Sequence, residues 1–294
     1  MRATARLISR LEAGGDAERS VARAVFARTG RAWVVGVTGA PGTGKSSLVD
    51  RLVASRRAAG ERVAVVAVDP SSPFSGGAIL GDRVRMQEHA TDPGVYVRSM
   101  ASRGASGGLA RATLGAVRVL DAAGWPLVVI ETVGAGQVEV DVAGAADTTV
   151  VVVTPGWGDA VQADKAGVLE IADVLAVNKA DRPGADEAVR DLEAMLDTSS
   201  SAWRPPVVRT SATTGSGIPE LMHAVEAHRA FLAEDGRLEA RREANLAAEV
   251  RRLAEAAGAQ AAWDRCRGAG FGEAVAEVVA RRLDPLGAAV RLLA

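Results

Sequence analysis

A single octapeptide constrains this 294-residue chain more than any other feature. The segment Gly39-Ala40-Pro41-Gly42-Thr43-Gly44-Lys45-Ser46 matches the pattern G-x-x-x-x-G-K-[ST]. An apolar run typical of a strand, Trp33–Val37, precedes it, and helical spacing of apolar residues follows it. In that context the glycines allow backbone N–H groups to curl around a polyphosphate, and the helix N-terminus adds partial positive charge. We therefore predict a phosphate-binding loop.

The residues of this loop have distinct predicted roles. Lys45 is expected to reach the β- and γ-phosphates, and the Ser46 hydroxyl is expected to take a Mg²⁺ position. The residues predicted to bind the nucleotide through this loop are Gly39, Pro41, Gly42, Thr43, Gly44, Lys45, Ser46 and Ser47.

Short apolar runs alternate with helical patterns along the middle of the chain. These β-branched runs are Val34–Val37, Val63–Val68, Leu127–Ile130, Val150–Val153, Val174–Val177 and Val207–Val208. Such runs suit strands that helices cover on both faces, so we predict an α/β fold with a mostly parallel, doubly wound sheet. The predicted divisions are an N-terminal helical segment, a nucleotide-binding domain and a C-terminal helical arm, over residues 1–30, 31–231 and 232–294.

Acidic residues near the ends of two predicted strands are candidate Mg²⁺ contacts. Asp69 follows the second run and Asp82 lies farther along the same irregular segment, where each also suits a turn or a helix cap. Glu131 directly follows the run Leu127–Ile130. A carboxylate at this position commonly lies on the metal side of a phosphate-binding site.

Gly134 and Gln137, which follow Glu131 in the sequence, are candidates for the hydrolysis step. Gly134 is expected to donate its backbone N–H to a γ-phosphate and to permit loop movement. Gln137 has the chemistry to orient an attacking water, although a solvated glutamine fits the pattern as well.

A second motif follows the run Val174–Val177: Asn178-Lys179-Ala180-Asp181, the N-K-x-D pattern of guanine-binding proteins. The Asp181 carboxylate can accept hydrogen bonds from guanine N1–H and the N2 amine, a pair that adenine does not offer. Asn178 is expected to tie this segment to the phosphate loop, and the Lys179 stem to cover the base. Farther on, the backbone N–H groups of Ser211 and Ala212 are expected to meet guanine O6. With the phosphate loop, this motif predicts a P-loop GTPase that binds GTP or GDP.

The composition argues against several other classes of protein. The formal net charge of −1 gives no global field toward nucleic acid or an anionic membrane, and no apolar run approaches the ~20 residues of a membrane span. The single cysteine, Cys266, excludes a disulfide framework and a multi-cysteine metal site, and we predict a cytoplasmic protein. Only three lysines occur, Lys45, Lys165 and Lys179, and two of them lie in nucleotide motifs.

The C-terminal part has a different pattern, rich in arginine and alanine. Leu246, Val250, Leu253 and Ala257 follow the 4-3-4 spacing of a coiled-coil seam. This seam has two interpretations, packing on its own domain or dimerisation. The spacing alone slightly favours the first.

Taken together, the chain resembles the methylmalonyl-CoA mutase-associated GTPases, the MeaB/ArgK family, from about Ala32 to the C-terminus. The most specific stretches are Val68–Phe74, Gly76–Arg83, Glu131–Gln137, Asp173–Asp181 and the Asp284-Pro285 pair. The resemblance implies a GTPase that escorts an adenosylcobalamin-dependent acyl-CoA mutase. Such proteins gate cofactor delivery, protect the mutase, and are usually dimers joined through C-terminal helices.

The resemblance also implies roles for individual residues. It implies Mg²⁺ contacts from Ser46, Asp69, Asp82 and Glu131, and a third nucleotide-responsive switch over Thr154–Lys165. With the motifs, it gives four predicted catalytic residues: Lys45, Glu131, Gln137 and Lys165. Val138 departs from the small polar residue that the family pattern leads us to expect after Gln137.

Two alternative functions fit the sequence less well. A nickel-insertion GTPase needs a soft-ligand cluster, whereas this chain has one cysteine, and His223 and His228 are five residues apart, which is not the spacing of one helix face. A protein or small-molecule kinase needs an acceptor pocket and a catalytic base, and the sequence identifies neither. Transfer of the γ-phosphate to water or to a protein would discriminate the GTPase from the kinase.

Overall fold

A computed structural model describes residues 1–69, 86–89, 91–101, 111–132, 142–156, 170–197 and 201–293. The described strands are β1 (Trp33–Thr38), β2 (Val63–Asp69), β3 (Val95–Ala101), β4 (Leu127–Thr132), β5 (Thr148–Val153), β6 (Val174–Val177) and β7 (Val207–Arg209). The described α-helices are α1 (Arg2–Ala13), α2 (Gly15–Phe26), α3 (Lys45–Ala58), α4 (Arg111–Ala122), α5 (Ala185–Leu196), α6 (Ile218–Ala233), α7 (Arg237–Cys266), α8 (Ala269–Val279) and α9 (Pro285–Leu293). A short 3₁₀ turn covers Gln87–His89.

The strands form one seven-stranded parallel sheet in the order β3-β2-β4-β1-β5-β6-β7. The predicted doubly wound parallel sheet is therefore confirmed. Since all strands run the same way, their carboxyl ends share one edge, which is where ligands bind in such sheets. Strand β3 was not predicted; it is an edge strand whose residues Val95-Tyr96-Val97-Arg98-Ser99-Met100 mix apolar and polar side chains.

The core lies on both faces of the sheet because the strands alternate their side chains between the two faces. In β4, Val129 packs in the cluster with Leu48 and Leu221, on the side of α3 and α6. The neighbouring Val128 packs in the opposite cluster with Ile8 and the residues of α4. This two-sided burial explains why the central strands consist almost entirely of apolar residues.

The first two helices form a pair on the body of the domain. Gly14, with a φ of 74°, separates α1 from α2. Ile8 and Leu11 of α1 and Val21 and Val25 of α2 are buried in the same cluster as α4.

The chain divides into two compact units, Met1–Glu239 and Ala240–Ala294. The second unit contains most of α7 together with α8 and α9, and α7 has no buried residue. Within the described ranges, no helix is both long enough and apolar enough to cross a membrane.

Candidate nucleotide-binding site

The phosphate loop connects the end of β1 at Thr38 to the start of α3 at Lys45. The Lys45 side chain is buried, and its Nζ donates to the carbonyl oxygens of Gly39 (2.5 Å) and Ala40 (2.9 Å). Ser46 is also buried, in the first turn of α3. The amine thus lies against the loop that would bind a polyphosphate, at the positive end of the α3 dipole.

Two glycines of this loop are required by close contacts. A Cβ on Gly39, whose φ is 136°, would lie 2.1 Å from the carbonyl oxygen of Val152. A Cβ on Gly44, whose φ is 89°, would lie 2.5 Å from Nδ2 of Asn178. Any side chain at either position would both strain the backbone and displace the neighbouring segment.

Asn178 connects three segments of the site from the end of β6. Its Nδ2 donates to the Thr43 carbonyl oxygen (2.8 Å), and its Oδ1 accepts from the Ala212 backbone N–H (3.1 Å) and the Thr210 hydroxyl (3.4 Å). The residue is 1% exposed, so these bonds are made away from water. A buried amide of this kind is costly to remove, because its partners would lose their bonds without regaining water.

Lys179 makes a second link to the phosphate loop. Its Nζ donates to the Gly42 carbonyl oxygen at 2.6 Å, and its backbone has a φ of 60°, in the left-handed region. The side chain therefore extends from the β6 edge to the phosphate loop, across the space between the two motifs.

Asp181 and Ser211 meet at the base end of the site. The Ser211 hydroxyl donates to Oδ1 of Asp181 at 2.6 Å. This hydrogen bond is the main reason why the pKa of the Asp181 carboxyl lies below its ordinary value. The group is exposed, and it stays ionised at neutral and mildly acidic pH. An ionised carboxylate is the acceptor that guanine N1–H and the N2 amine require.

The backbone N–H groups expected to meet guanine O6 are engaged within the protein. The Ser211 N–H donates to the Ser216 carbonyl oxygen at 2.9 Å, and the Ala212 N–H donates to Asn178 Oδ1. The O6 contact remains a prediction, and it would require the Ala212 N–H to share or exchange its partner.

Arg51 is a site residue that the sequence analysis missed. It lies on α3, and its Nε donates to the Ala212 carbonyl oxygen at 2.9 Å while Nη2 reaches the Thr213 carbonyl oxygen at 3.4 Å. The helix that begins at the phosphate loop thus also holds the segment beside Asp181. The contact spans 161 residues of sequence and leaves no local pattern that could have predicted it.

Glu131 lies on β4 beside the strand that leads into the phosphate loop. Its backbone is in register with Val37 of β1, and its side chain is fully buried. Thr132 and Thr38, at the ends of the same two strands, approach each other with their Oγ1 atoms 3.2 Å apart. Glu131 and Ser46 therefore provide oxygen atoms of the kind that Mg²⁺ prefers, at the carboxyl edge of the sheet.

Other predicted positions fall at or beyond the described residues. The backbone of Asp69 ends β2 at the same sheet edge. Asp82, Gly134, Gln137 and Lys165 lie outside the described residues, so their predicted roles remain predictions.

His228 lies away from this edge and is occupied by a structural network. Its ring is buried, with Nδ1 2.9 Å from the Thr148 hydroxyl and Nε2 3.3 Å from Asp173. Thr148 begins β5 and Asp173 precedes β6, so the network lies at the opposite edge of the sheet. In the described part of the chain, no group of three metal-ligating side chains could hold a metal ion.

Comparisons with known proteins agree with this geometry. Residues 4–266 match the family model described as methylmalonyl-CoA mutase-associated GTPase MeaB. A protein of Pyrococcus abyssi named as a GTPase is 47% identical over 297 residues, covering 99% of this chain and 92% of that protein. The mouse protein named methylmalonic aciduria type A homolog, mitochondrial, is 37% identical over 71% of this chain and 52% of its own length.

Solved structures support the fold. The crystal structure of a LAO/AO transport system kinase is 25% identical, covers 98% of this chain and 91% of that chain, and has a TM-score of 0.75. HypB from Helicobacter pylori, solved in complex with nickel, is 16% identical over 72% of this chain and 93% of that chain, with a TM-score of 0.50. The second likeness concerns the fold alone. Together with the family match, the phosphate loop and the Asn178–Asp181 segment show that this chain belongs to the methylmalonyl-CoA mutase-associated GTPase family, MeaB.

Proposed function

We propose that this protein binds GTP with Mg²⁺, hydrolyses it slowly, and acts as a chaperone of an adenosylcobalamin-dependent acyl-CoA mutase such as methylmalonyl-CoA mutase. In this role it gates cofactor loading and protects the mutase. The observation that carries the nucleotide part is the Asn178 junction, whose amide bonds both the Thr43 carbonyl and the Ala212 N–H. Phosphate binding and base binding are thereby coupled through one buried side chain.

Base selection rests on Asp181. Its carboxylate accepts from Ser211 through one oxygen and is exposed, which leaves acceptor capacity for a guanine edge. Adenine presents an acceptor at N1 where guanine presents a donor, so the carboxylate would face repulsion instead of a bond. The site therefore favours GTP and GDP over ATP.

Phosphate binding rests on Lys45 and the start of α3. On nucleotide binding, the Lys45 amine would exchange the Gly39 and Ala40 carbonyls for phosphate oxygens, a charge-assisted and therefore stronger pairing. Ser46 and Glu131 would hold Mg²⁺, with Asp69 and Asp82 as further predicted contacts. When bound, the ion neutralises charge on the β- and γ-phosphates.

Hydrolysis is proposed to be slow in the isolated protein. Gln137 and Gly134 are the candidates that would orient water and contact the γ-phosphate, and Lys165 belongs to the predicted third switch. None of the motifs supplies an identified arginine finger, and GTPases that lack one gain large accelerations from a partner. We propose that the mutase provides this acceleration.

Support for the mutase as partner comes from the family. The family description names methylmalonyl-CoA mutase, and the mouse relative is named for methylmalonic aciduria. We therefore assign this chain the same class of client, in the cytoplasm, with no nucleic-acid or membrane partner. Which acyl-CoA mutase it serves is a question for the experiment below.

We also propose a homodimer joined through the C-terminal helices. Leu246, Val250 and Leu253 of α7 are 41%, 65% and 39% exposed and recur every three or four residues on one face. Exposed large apolar side chains also occur on α9, at Leu286, Val290 and Leu293. A second copy of α7 would cover this seam in the manner of a coiled coil.

The test is GTP turnover by the purified full chain with and without each cobalamin-dependent mutase of its own organism. The proposal predicts acceleration by one mutase with GTP and none with ATP. Nucleotide labelled at the γ-phosphate is used, so that transfer to protein instead of water would identify a kinase. Equilibrium dialysis against Ni²⁺ tests the metallochaperone alternative. Absence of acceleration by every mutase would contradict the escort role while leaving nucleotide binding open to separate measurement.

A further inference from the structure

Helix α1 carries three exposed arginines on one side: Arg2, Arg6 and Arg10, called here the arginine face. Their four-residue spacing makes them neighbours along the helix surface. The other side of α1 carries Ile8 and Leu11, which are buried against the domain. The arginine face is thus fixed on a packed element of the GTPase unit and directed away from its core.

The charge of this region opposes that of the rest of the chain. Residues 1–31 contain seven arginines and three carboxylates, whereas the whole chain has a net charge of −1. Each of the three carboxylates already has an arginine partner: Glu12 pairs with Arg98, Asp16 with Arg19, and Glu18 with Arg111. Among the described residues, no carboxylate lies within ion-pair distance of the arginine face.

Arg2 lies in the first turn of α1, where a positive charge opposes the helix dipole, whereas Arg10 in the last turn complements it. Like charges four residues apart also repel one another. The first turn of α1 has no acidic residue, and its N-cap makes no side-chain hydrogen bond. Natural sequences tend to keep such locally unfavourable choices at functional sites.

We infer that the arginine face is a docking surface for an acidic surface of a partner protein. The inference rests on the proposed function in naming that partner as the mutase. A nucleic-acid partner is disfavoured because the chain has a pI of about 6.4, whereas nucleic-acid-binding domains are strongly basic. A membrane partner is disfavoured because the other exposed positions of α1, Ala3, Ser9 and Ala13, offer no large apolar side chain for insertion.

The test compares two triple variants that differ only in charge. Arg2→Gln, Arg6→Gln, Arg10→Gln removes three charges, and the corresponding Lys triple keeps them. A control triple, Arg190→Gln, Arg251→Gln, Arg267→Gln, removes the same charge at exposed positions elsewhere. Binding of each full chain to the mutase is measured in the presence of a non-hydrolysable GTP analogue, at about 50 mM and at about 300 mM salt.

The Gln triple is expected to weaken mutase binding about tenfold at low salt, mainly through the association rate, and less at high salt. The Lys triple and the control triple should stay within about twofold of the parent chain. Thermal unfolding and partner-free GTP turnover should be unchanged in all three, because the arginine face touches neither the core nor the nucleotide site.

Several outcomes would overturn the inference. These are parental binding by the Gln triple, an equal loss in the control triple, or an equal loss in the Lys triple. Loss of binding to a DNA duplex or to phosphatidylserine vesicles, with mutase binding intact, would assign the face to those partners instead. If the parent chain binds no mutase, the proposed function itself is refuted. If the parent chain binds and the Gln triple binds equally well, only the inference about the arginine face is refuted.

Discussion

The two units of this chain differ in how far they bury their large apolar side chains. In Met1–Glu239 the strands are enclosed on both sheet faces, and residues such as Leu48, Ile130 and Leu175 are fully buried. The 30-residue helix α7, most of which lies in Ala240–Ala294, has no buried residue, and Val250 is 65% exposed. The first unit completes its own core, whereas the second leaves apolar surface for something else to cover. Nucleotide chemistry should therefore depend on the first unit and assembly on the second.

The largest expected effect on GTP binding comes from Lys45→Met. This change keeps a buried unbranched side chain but removes the charge that pairs with phosphate. We expect GTP affinity to fall about 100-fold, because charge-assisted bonds to phosphate are the strong ones. Isothermal titration with GTP and GDP measures the loss. If the variant is folded and binds GTP like the parent chain, the phosphate-loop assignment is wrong.

Asn178→Ala should have the next largest effect, because it breaks the junction between the phosphate and base segments. We expect the free energy of unfolding to fall by about 2 kcal/mol, since Thr43 and Ala212 lose buried bonds, and GTP affinity to fall with it. Urea unfolding with and without GTP separates the two effects. The matched variant Asn178→Asp keeps an acceptor for the Ala212 N–H but places a buried carboxylate against the Thr43 carbonyl oxygen, so it should lose at least as much stability as Asn178→Ala. An Asp variant as stable as the parent chain would contradict the assigned contact between Nδ2 and Thr43.

Arg51→Ala should have a smaller effect within the same unit. Removing the donors to the Ala212 and Thr213 carbonyls frees the segment beside Asp181, and we expect guanine-nucleotide affinity to fall about fivefold. The fall should be the same for GTP and GDP, because the base segment contacts neither γ-phosphate nor metal. Arg190→Ala, an exposed arginine of α5, is the control. A loss confined to GTP would mean that Arg51 acts on the phosphate side.

The smallest effect on nucleotide binding is expected from Val250→Asp, in the second unit. A charge on the apolar seam should shift a dimer toward monomer in sedimentation measurements, while GTP affinity stays within about twofold. Ala244→Asp adds the same charge to α7 at an exposed position on the side opposite the seam and should leave assembly unchanged. If both variants, or neither, change the oligomeric state, the seam does not carry the dimer.

The sequence predicted most of the sheet because its strands are short, apolar and bounded by motif residues. Strand β3 was missed because Arg98 and Ser99 interrupt its apolar pattern. The Asn178–Thr43 link joins residues far apart in sequence, but each lies in a recognisable motif, so it was expected. The Arg51–Ala212 link could not be predicted, because Arg51 belongs to no motif and arginine is common in this chain.

The sequence also does not determine which surface the C-terminal seam packs against. Leu246, Val250 and Leu253 have the same spacing whether the helix packs on its own domain or on a second copy. All three side chains are exposed in the described chain, and the Val250→Asp experiment tests whether a second copy covers them. Exposure is a tertiary property, and a helical repeat does not determine it.

The most direct test of the account is a change of base specificity at Asp181. Xanthine carries a carbonyl where guanine carries the N2 amine, so Asp181→Asn would offer an amide donor to xanthine and lose one of the two oxygen acceptors for guanine. We predict that this variant loses about 100-fold in GTP affinity, gains affinity for xanthosine triphosphate, and shows mutase-stimulated turnover only with the latter. A folded variant that still binds GTP like the parent chain would contradict the assignment of this edge as the guanine-recognition site.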